Sequence, residues 1–148
     1  MGVGGTPMTQ ATSDLEQCVN DWVGIWNSGA YERLPDVLDE TATVYDPGAP
    51  RGVLEGRDEF EAHMRELRSG FPDFAIRIEE MLTGDGVVMT EWTATATHEG
   101  EFNGISATNR EVELRGMSKT AIRDGKIVED RIYHDFHAFL EQLGLTDR

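Results

Sequence analysis

Two periodicities divide the chain. Over residues 13–28, Leu15, Cys18, Val19, Trp22, Ile25 and Trp26 recur at steps of three and four, which places them on one face of a helix. Ser13-Asp14-Leu15-Glu16 reads as a capping box that opens this helix, and Asn27-Ser28-Gly29 as its stop. Residues 1–12 are rich in Gly, Thr and Ser and lack periodic apolar positions, which predicts a flexible N-terminal tail ahead of one domain over 13–148. A second, short helix carries Tyr31, Leu34, Val37 and Leu38. A third, over 56–70, has Phe60, Met64, Leu67 and Phe71 as its buried stripe. Residues 41–46 alternate as a strand, and Pro47, Gly48, Pro50 and Gly52 then make a loop.

From residue 74 the period falls to two. Strands are predicted over 74–82, 87–98, 111–123 and 126–134, with Asp124-Gly125 as a tight hairpin whose two turn positions need positive φ. Asp135 caps a last helix through residue 143. In the strand from Glu111 the odd positions are mostly charged and the even ones small or apolar, so the even face is the inner one. The same parity places Trp92 and His98, then Val128, Asp130, Ile132 and His134, on that face. Helices followed by an antiparallel meander make an α+β layer, and small residues facing large ones leave room for an interior pocket. The outer face, with Met117 and Tyr133, is the expected contact surface of a homodimer.

Composition narrows the partners. Asp and Glu number 28 against 13 Lys and Arg, a formal charge of −15, which argues against nucleic acid and anionic membranes. The charge is spread along the chain, as on a solvated surface suited to a salt-rich (halophilic) cytoplasm. One cysteine, Cys18, excludes an internal disulfide. No apolar run is long enough for export or membrane spanning, so a cytoplasmic location is expected.

Three motifs occur in order in the C-terminal half: Thr-His-Glu-Gly-Glu-Phe-Asn-Gly from Thr97, Arg-Asp-Gly-Lys-Ile from Arg123, and Asp-Phe-His-Ala-Phe-Leu-Glu-Gln-Leu-Gly from Asp135. Together they resemble the SnoaL-like polyketide cyclase (ester cyclase) group of the nuclear transport factor 2-like superfamily. The resemblance implies a cone: N-terminal helices packed on a curved antiparallel (mixed) sheet around a pocket. It also implies intramolecular aldol ring closure without cofactor or metal, using an aspartate on the last strand and a histidine on the strand beside it. Counted from the hairpin, those places fall on Ile132 and Ser118, and Asp46 falls near a pocket asparagine. Neither Ile132 nor an unassisted Ser118 can take and return a proton at neutral pH.

The remaining candidates for acid/base work are Asp130, Asp46, His98 and His134. Asp130 and His134 share a face but lie about 13 Å apart along an extended strand, so they form no direct dyad. Asp130 could be a carboxyl raised by apolar burial, an acid at the wide, wet end of the cone, or an acid paired with an arginine such as Arg131 or Arg110. Asp46, beside Pro47, either faces the pocket or forms an Asx turn. His98, just before Glu99-Gly100, suits a loop-bonding role better than that of a base, and His63 and His137 read as half-exposed helix residues. The expected ligand is a small, largely apolar molecule lined by Trp22, Trp26, Trp92, Phe74, Ile76, Ser118 and Ile132. No sequence signature for zinc, calcium, nucleotide or a serine hydrolase is present. The functional alternatives are a proton-transfer enzyme of cyclase, isomerase or dehydratase type, a non-catalytic ligand-binding module, and a protein-interaction domain.

Overall fold

The computed structural model describes residues 5–145, with side chains from residue 12 onward. Helix α1 (Gly5–Ser28) is followed by a 3-10 turn (Tyr31–Arg33) and a one-turn helix α2 (Leu34–Val37). Then come β1 (Leu38–Tyr45), β2 (Val53–Glu55), α3 (Arg57–Gly70), the strands β3 (Ala75–Thr83), β4 (Val87–Thr97), β5 (Glu111–Arg123) and β6 (Lys126–His134), and α4 (Phe136–Gln142). The backbone corrects one expectation: α1 runs through Ser13, so Ser13–Glu16 lies inside the helix and is not its cap. No residue between Gly5 and Ser13 forces the chain out of helix once the first turn, which tolerates Pro7, has formed. Residues 1–4 of the expected tail lie outside the described residues.

Six strands form one sheet in the order β2-β1-β6-β5-β4-β3. β1 pairs parallel with β6 and every other neighbour is antiparallel, so the sheet is mixed. β2, three residues long, was not predicted because it is too short to show alternation. Leu38 begins β1 and does not end the short helix, since its backbone is already extended. The Asp124-Gly125 hairpin is as expected, with φ of 52° and 80°. Asp135 does cap α4, its Oδ1 accepting the Ala138 amide at 2.9 Å.

The inner face follows the even parity along β4 and β5. On β6 it changes near the hairpin: Ile127 is buried and Val128 only partly so, because the β5–β6 register shifts between Ala121 and Ile122. A second shift interrupts the β3–β4 ladder between Ile78 and Glu80. Irregularities of this kind bend strands, and here they curl the sheet over α1 and α3. Trp22, Ile25 and Trp26 of α1 and Phe60 and Met64 of α3 pack into this concavity with Leu38, Val44 and Ile127. A second cluster, Phe71, Phe102, Val112, Phe139 and Leu143, closes the end where α4 returns across the sheet.

One close approach shapes the concave face. Gly116 on β5 lies beneath Trp92 of β4, and a Cβ there would run into the indole ring and come within 2.6 Å of the Tyr133 carbonyl oxygen. The missing side chain lets the Trp92 ring lie across the sheet, where its Nε1 donates to Ser118 Oγ at 2.9 Å.

The outer face carries two exposed apolar cross-strand pairs, Leu82 with Met89 and Met117 with Tyr133. We propose that this face joins two copies of the chain. Met117→Glu replaces an exposed apolar side chain of this face with a charge, and sedimentation equilibrium is expected to show a weaker dimer than wild type. A wild-type protein that stays monomeric at high micromolar concentration, or a variant unchanged in association, contradicts this contact.

Candidate functional site

A cavity with about 830 Å³ of atom-free space, part of it open to solvent, lies between the curled sheet and the helices. Its wall is largely apolar: Val19, Trp22 and Trp26 from α1, Ile76 and Ile78 from β3, with Phe74 just before that strand. Phe102, Phe136 and Phe139 close the α4 end. Trp22, Trp26, Trp92, Phe74, Ile76, Ser118 and Ile132 all line it. Ser118 and Ile132 stand directly opposite each other on β5 and β6.

Among the polar lining residues, Asp46 has the most partners. It follows the last residue of β1, and the parallel register Tyr45–Arg131 brings it beside the end of β6, where His134 stands. His134 Nε2 lies 3.2 Å from Asp46 Oδ1, and His63 Nε2 of α3 lies 3.5 Å from Oδ2. The Gly48 amide donates to Oδ1 at 2.8 Å, so the Asx turn and the cavity-facing position coexist. Burial pulls the Asp46 pKa up, but hydrogen bonds from His134, His63 and Gly48, with the charge of His63, outweigh it and hold the carboxyl well below the usual range. Asp46 is therefore ionised and can only accept, so the ring nitrogen facing it carries a proton. In a neutral His134 ring this leaves Nδ1 with a free lone pair, and that atom is buried without a hydrogen-bond partner.

His63 is a correction. The expected half-exposed helix position is in fact buried: only 8 % of the residue is accessible, and it lines the cavity. The signal was present: Phe60, His63, Met64 and Leu67 follow the i, i+3, i+4, i+7 spacing of one buried face.

Asp130 is the second carboxyl in the cavity wall, 1 % exposed. Thr120 Oγ1 donates to its Oδ1 at 2.7 Å and Trp22 Nε1 to its Oδ2 at 3.2 Å. Among the described residues no arginine pairs with it: Arg131, the next residue, points to the other face, pairs with Glu129 and stacks on Tyr45. Burial pushes the Asp130 carboxyl up, the Thr120 and Trp22 bonds pull it down, the Asp46 charge raises it again, and the balance stands at about 6.

His98 does not join these groups. It is fully buried outside the cavity lining, stacked on Phe71, with Nδ1 accepting the Thr108 amide at 3.2 Å. It ties the loop between β4 and β5 through Thr108, and its ring packs on Phe71 of the second aromatic cluster rather than against the cavity. His137 is exposed on α4. The wall also includes Thr90, Thr120 and Leu114, which the even parity of β4 and β5 places there, whereas Phe102 comes from the irregular loop between β4 and β5, which periodicity does not read, and Phe136 from the first residue of α4. Among the described residues no group of three or more His, Cys, Asp or Glu is placed to hold a metal ion, and no helix is long and apolar enough to cross a membrane.

Solved structures of other bacterial proteins share this architecture. IdmH, a candidate polyketide cyclase from Streptomyces antibioticus, is 25 % identical with a TM-score of 0.77, over 88 % of this chain and 98 % of its own. AclR, a candidate hydroxylase from Streptomyces galilaeus, is 21 % identical with a TM-score of 0.77, over 93 % and 85 %. A candidate SnoaL-like polyketide cyclase from Jannaschia sp. CCS1 is 16 % identical with a TM-score of 0.81, over 93 % and 95 %. No curated protein sequence matches the chain. The family model for SnoaL-like polyketide cyclase matches residues 16–143. The chain belongs to the SnoaL-like polyketide cyclase family.

Proposed function

We propose that the cavity takes up a small, largely apolar carbonyl compound and that His134, oriented by Asp46, moves a proton on it, in a reaction of cyclase, isomerase or dehydratase type. The observation that carries this reading is the Asp46 carboxyl, buried between two histidines in a cavity wall that is otherwise mostly apolar. His134 Nδ1 takes the proton from the carbon next to the carbonyl, the C–H electron pair moves into an enolate, and Asp46 stabilises the resulting imidazolium. The imidazolium then returns its proton to carbon or oxygen, which closes the cycle. A carboxylate–imidazole pair can do this at neutral pH, whereas Ile132 and Ser118 cannot. Sequestration of an apolar metabolite without turnover is the alternative, favoured by the presence of Ile132 and Ser118 where the family resemblance expects acid/base groups.

A simple ketone separates the two. With 2-tetralone in D₂O, wild-type protein is expected to speed hydrogen–deuterium exchange next to the carbonyl, read by proton NMR. His134→Gln and Asp46→Asn are each expected to lower that excess by roughly 10²-fold, the scale of losing a general base or its partner. Bound 2-tetralone with no exchange above buffer, or equal exchange in His134→Gln, overturns proton transfer and leaves a carrier.

The Asp130 carboxyl predicts a pH dependence of opposite sign to that of Asp46. Asp130 binds its proton at about 6 when folded, against an ordinary value of 3.8. The folded state therefore holds more protons between those values, and Asp130 adds stability as pH falls from 7 toward 4. Asp46, with its depressed pKa, contributes stability above its ordinary 3.8 that is lost only in stronger acid. The urea-midpoint difference between wild type and Asp130→Asn should accordingly move in favour of wild type between pH 7 and 5. A difference that does not change over that range contradicts a raised, buried Asp130.

A further inference from the structure

Asp130 has a role that proton transfer by His134 leaves unassigned. Its two donors, Thr120 and Trp22, are both neutral and each engages one carboxylate oxygen. A carboxylate oxygen can accept more than one hydrogen bond, so acceptor capacity remains on both atoms. Asp46 has two histidines within 3.5 Å, whereas no cationic side chain pairs with Asp130 among the described residues. Such a carboxyl is costly in an apolar enclosure unless a further donor reaches it. Asp130 is part of the cavity wall, and among the described residues no lysine or arginine contributes to that wall. Its titratable lining is two aspartates and two histidines, Asp46, Asp130, His63 and His134.

We infer that Asp130 sets specificity: its carboxyl receives a hydrogen-bond-donating group, a hydroxyl or a protonated amine, carried by an otherwise apolar ligand, while anionic ligands are excluded. This rests on the reading of the cavity as a ligand site but not on proton transfer by His134. The position on the strand adds a length. Asp130 and His134 are four positions apart, about 13 Å of extended backbone, so a ligand touching both has its donor and its carbonyl at opposite ends of an apolar body. Trp22 makes the recognition exacting, because the indole that donates to Asp130 also stacks on Phe60 at 4.6 Å and is part of the cavity wall.

The test uses four probes of one shape: 2-naphthylmethylamine, 2-naphthylmethanol, 2-methylnaphthalene and 2-naphthoate, measured by calorimetry at pH 8. The amine or the alcohol is expected to bind at least about tenfold more tightly than methylnaphthalene, the scale of one hydrogen bond to a charged group, and naphthoate to bind most weakly. In Asp130→Asn the preference for the amine should disappear while methylnaphthalene binding is retained. A preference for one donor over the other tells ammonium from hydroxyl. If Asp130→Asn does not fold, a wild-type structure with the preferred probe decides, with the ligand donor expected within hydrogen-bond distance of Asp130. Naphthoate binding as tightly as the others, no advantage for a donor, or a donor bound elsewhere overturns the inference. The probe order can hold in a protein that exchanges no 2-tetralone protons, and exchange can occur without the order, so the two proposals fail separately.

Discussion

The hydrogen-bonded set around Asp46 is the constraint on which the site depends. A carboxylate buried to this degree is tolerated only if its charge is answered locally, and the answer comes from three separate parts of the chain: His63 on α3, His134 at the end of β6 and the Gly48 amide in the loop after β1. The parallel pairing of β1 with β6 makes this meeting possible, since it runs both strands toward the same end of the sheet. Helix α3 must then present His63 on the same side as Phe60 and Met64. Loss of any one of these placements leaves a buried charge without its partners.

The cavity follows from the way the sheet curls. Register shifts between β3 and β4 and between β5 and β6 bend the strands over α1, and the residues facing inward alternate between bulky and small. Gly116 leaves room for Trp92, Trp92 in turn holds Ser118, and Thr120 holds Asp130. Ser118 and Asp130 are thus held by neighbours on adjoining strands, and a mostly apolar wall carries two carboxyls of very different acidity. Asp46 is kept ionised by its partners, while Asp130 is raised by desolvation and by the charge of Asp46.

Much of this was legible in the sequence because the informative patterns are local. Alternation in β4 and β5 gave the inner face and with it Trp92, Ser118 and Thr120, and Asp-Gly gave the hairpin. Features that depend on pairing between distant segments were not legible. The parallel partner of β1 is separated from it by the whole central part of the chain, so the Asp46–His134 contact has no signature in spacing. The parity change at Ile127 arises from a shifted register that no single strand records. His63 was legible in principle from the stripe it shares with Phe60 and Leu67, but a histidine on a charged helix reads as surface until its partner is known. The Asp130 environment needed Trp22, 108 residues away, to come within reach.

The most direct test of this account is the protonation of the His134 ring, observed by long-range proton–nitrogen NMR on the folded protein. An ionised Asp46 facing Nε2 requires the neutral ring to carry its proton there, with Nδ1 bare and available as a base. Nitrogen shifts for that tautomer in wild type, lost in Asp46→Asn, agree with the account. A neutral ring protonated on Nδ1, or a tautomer indifferent to Asp46→Asn, contradicts it.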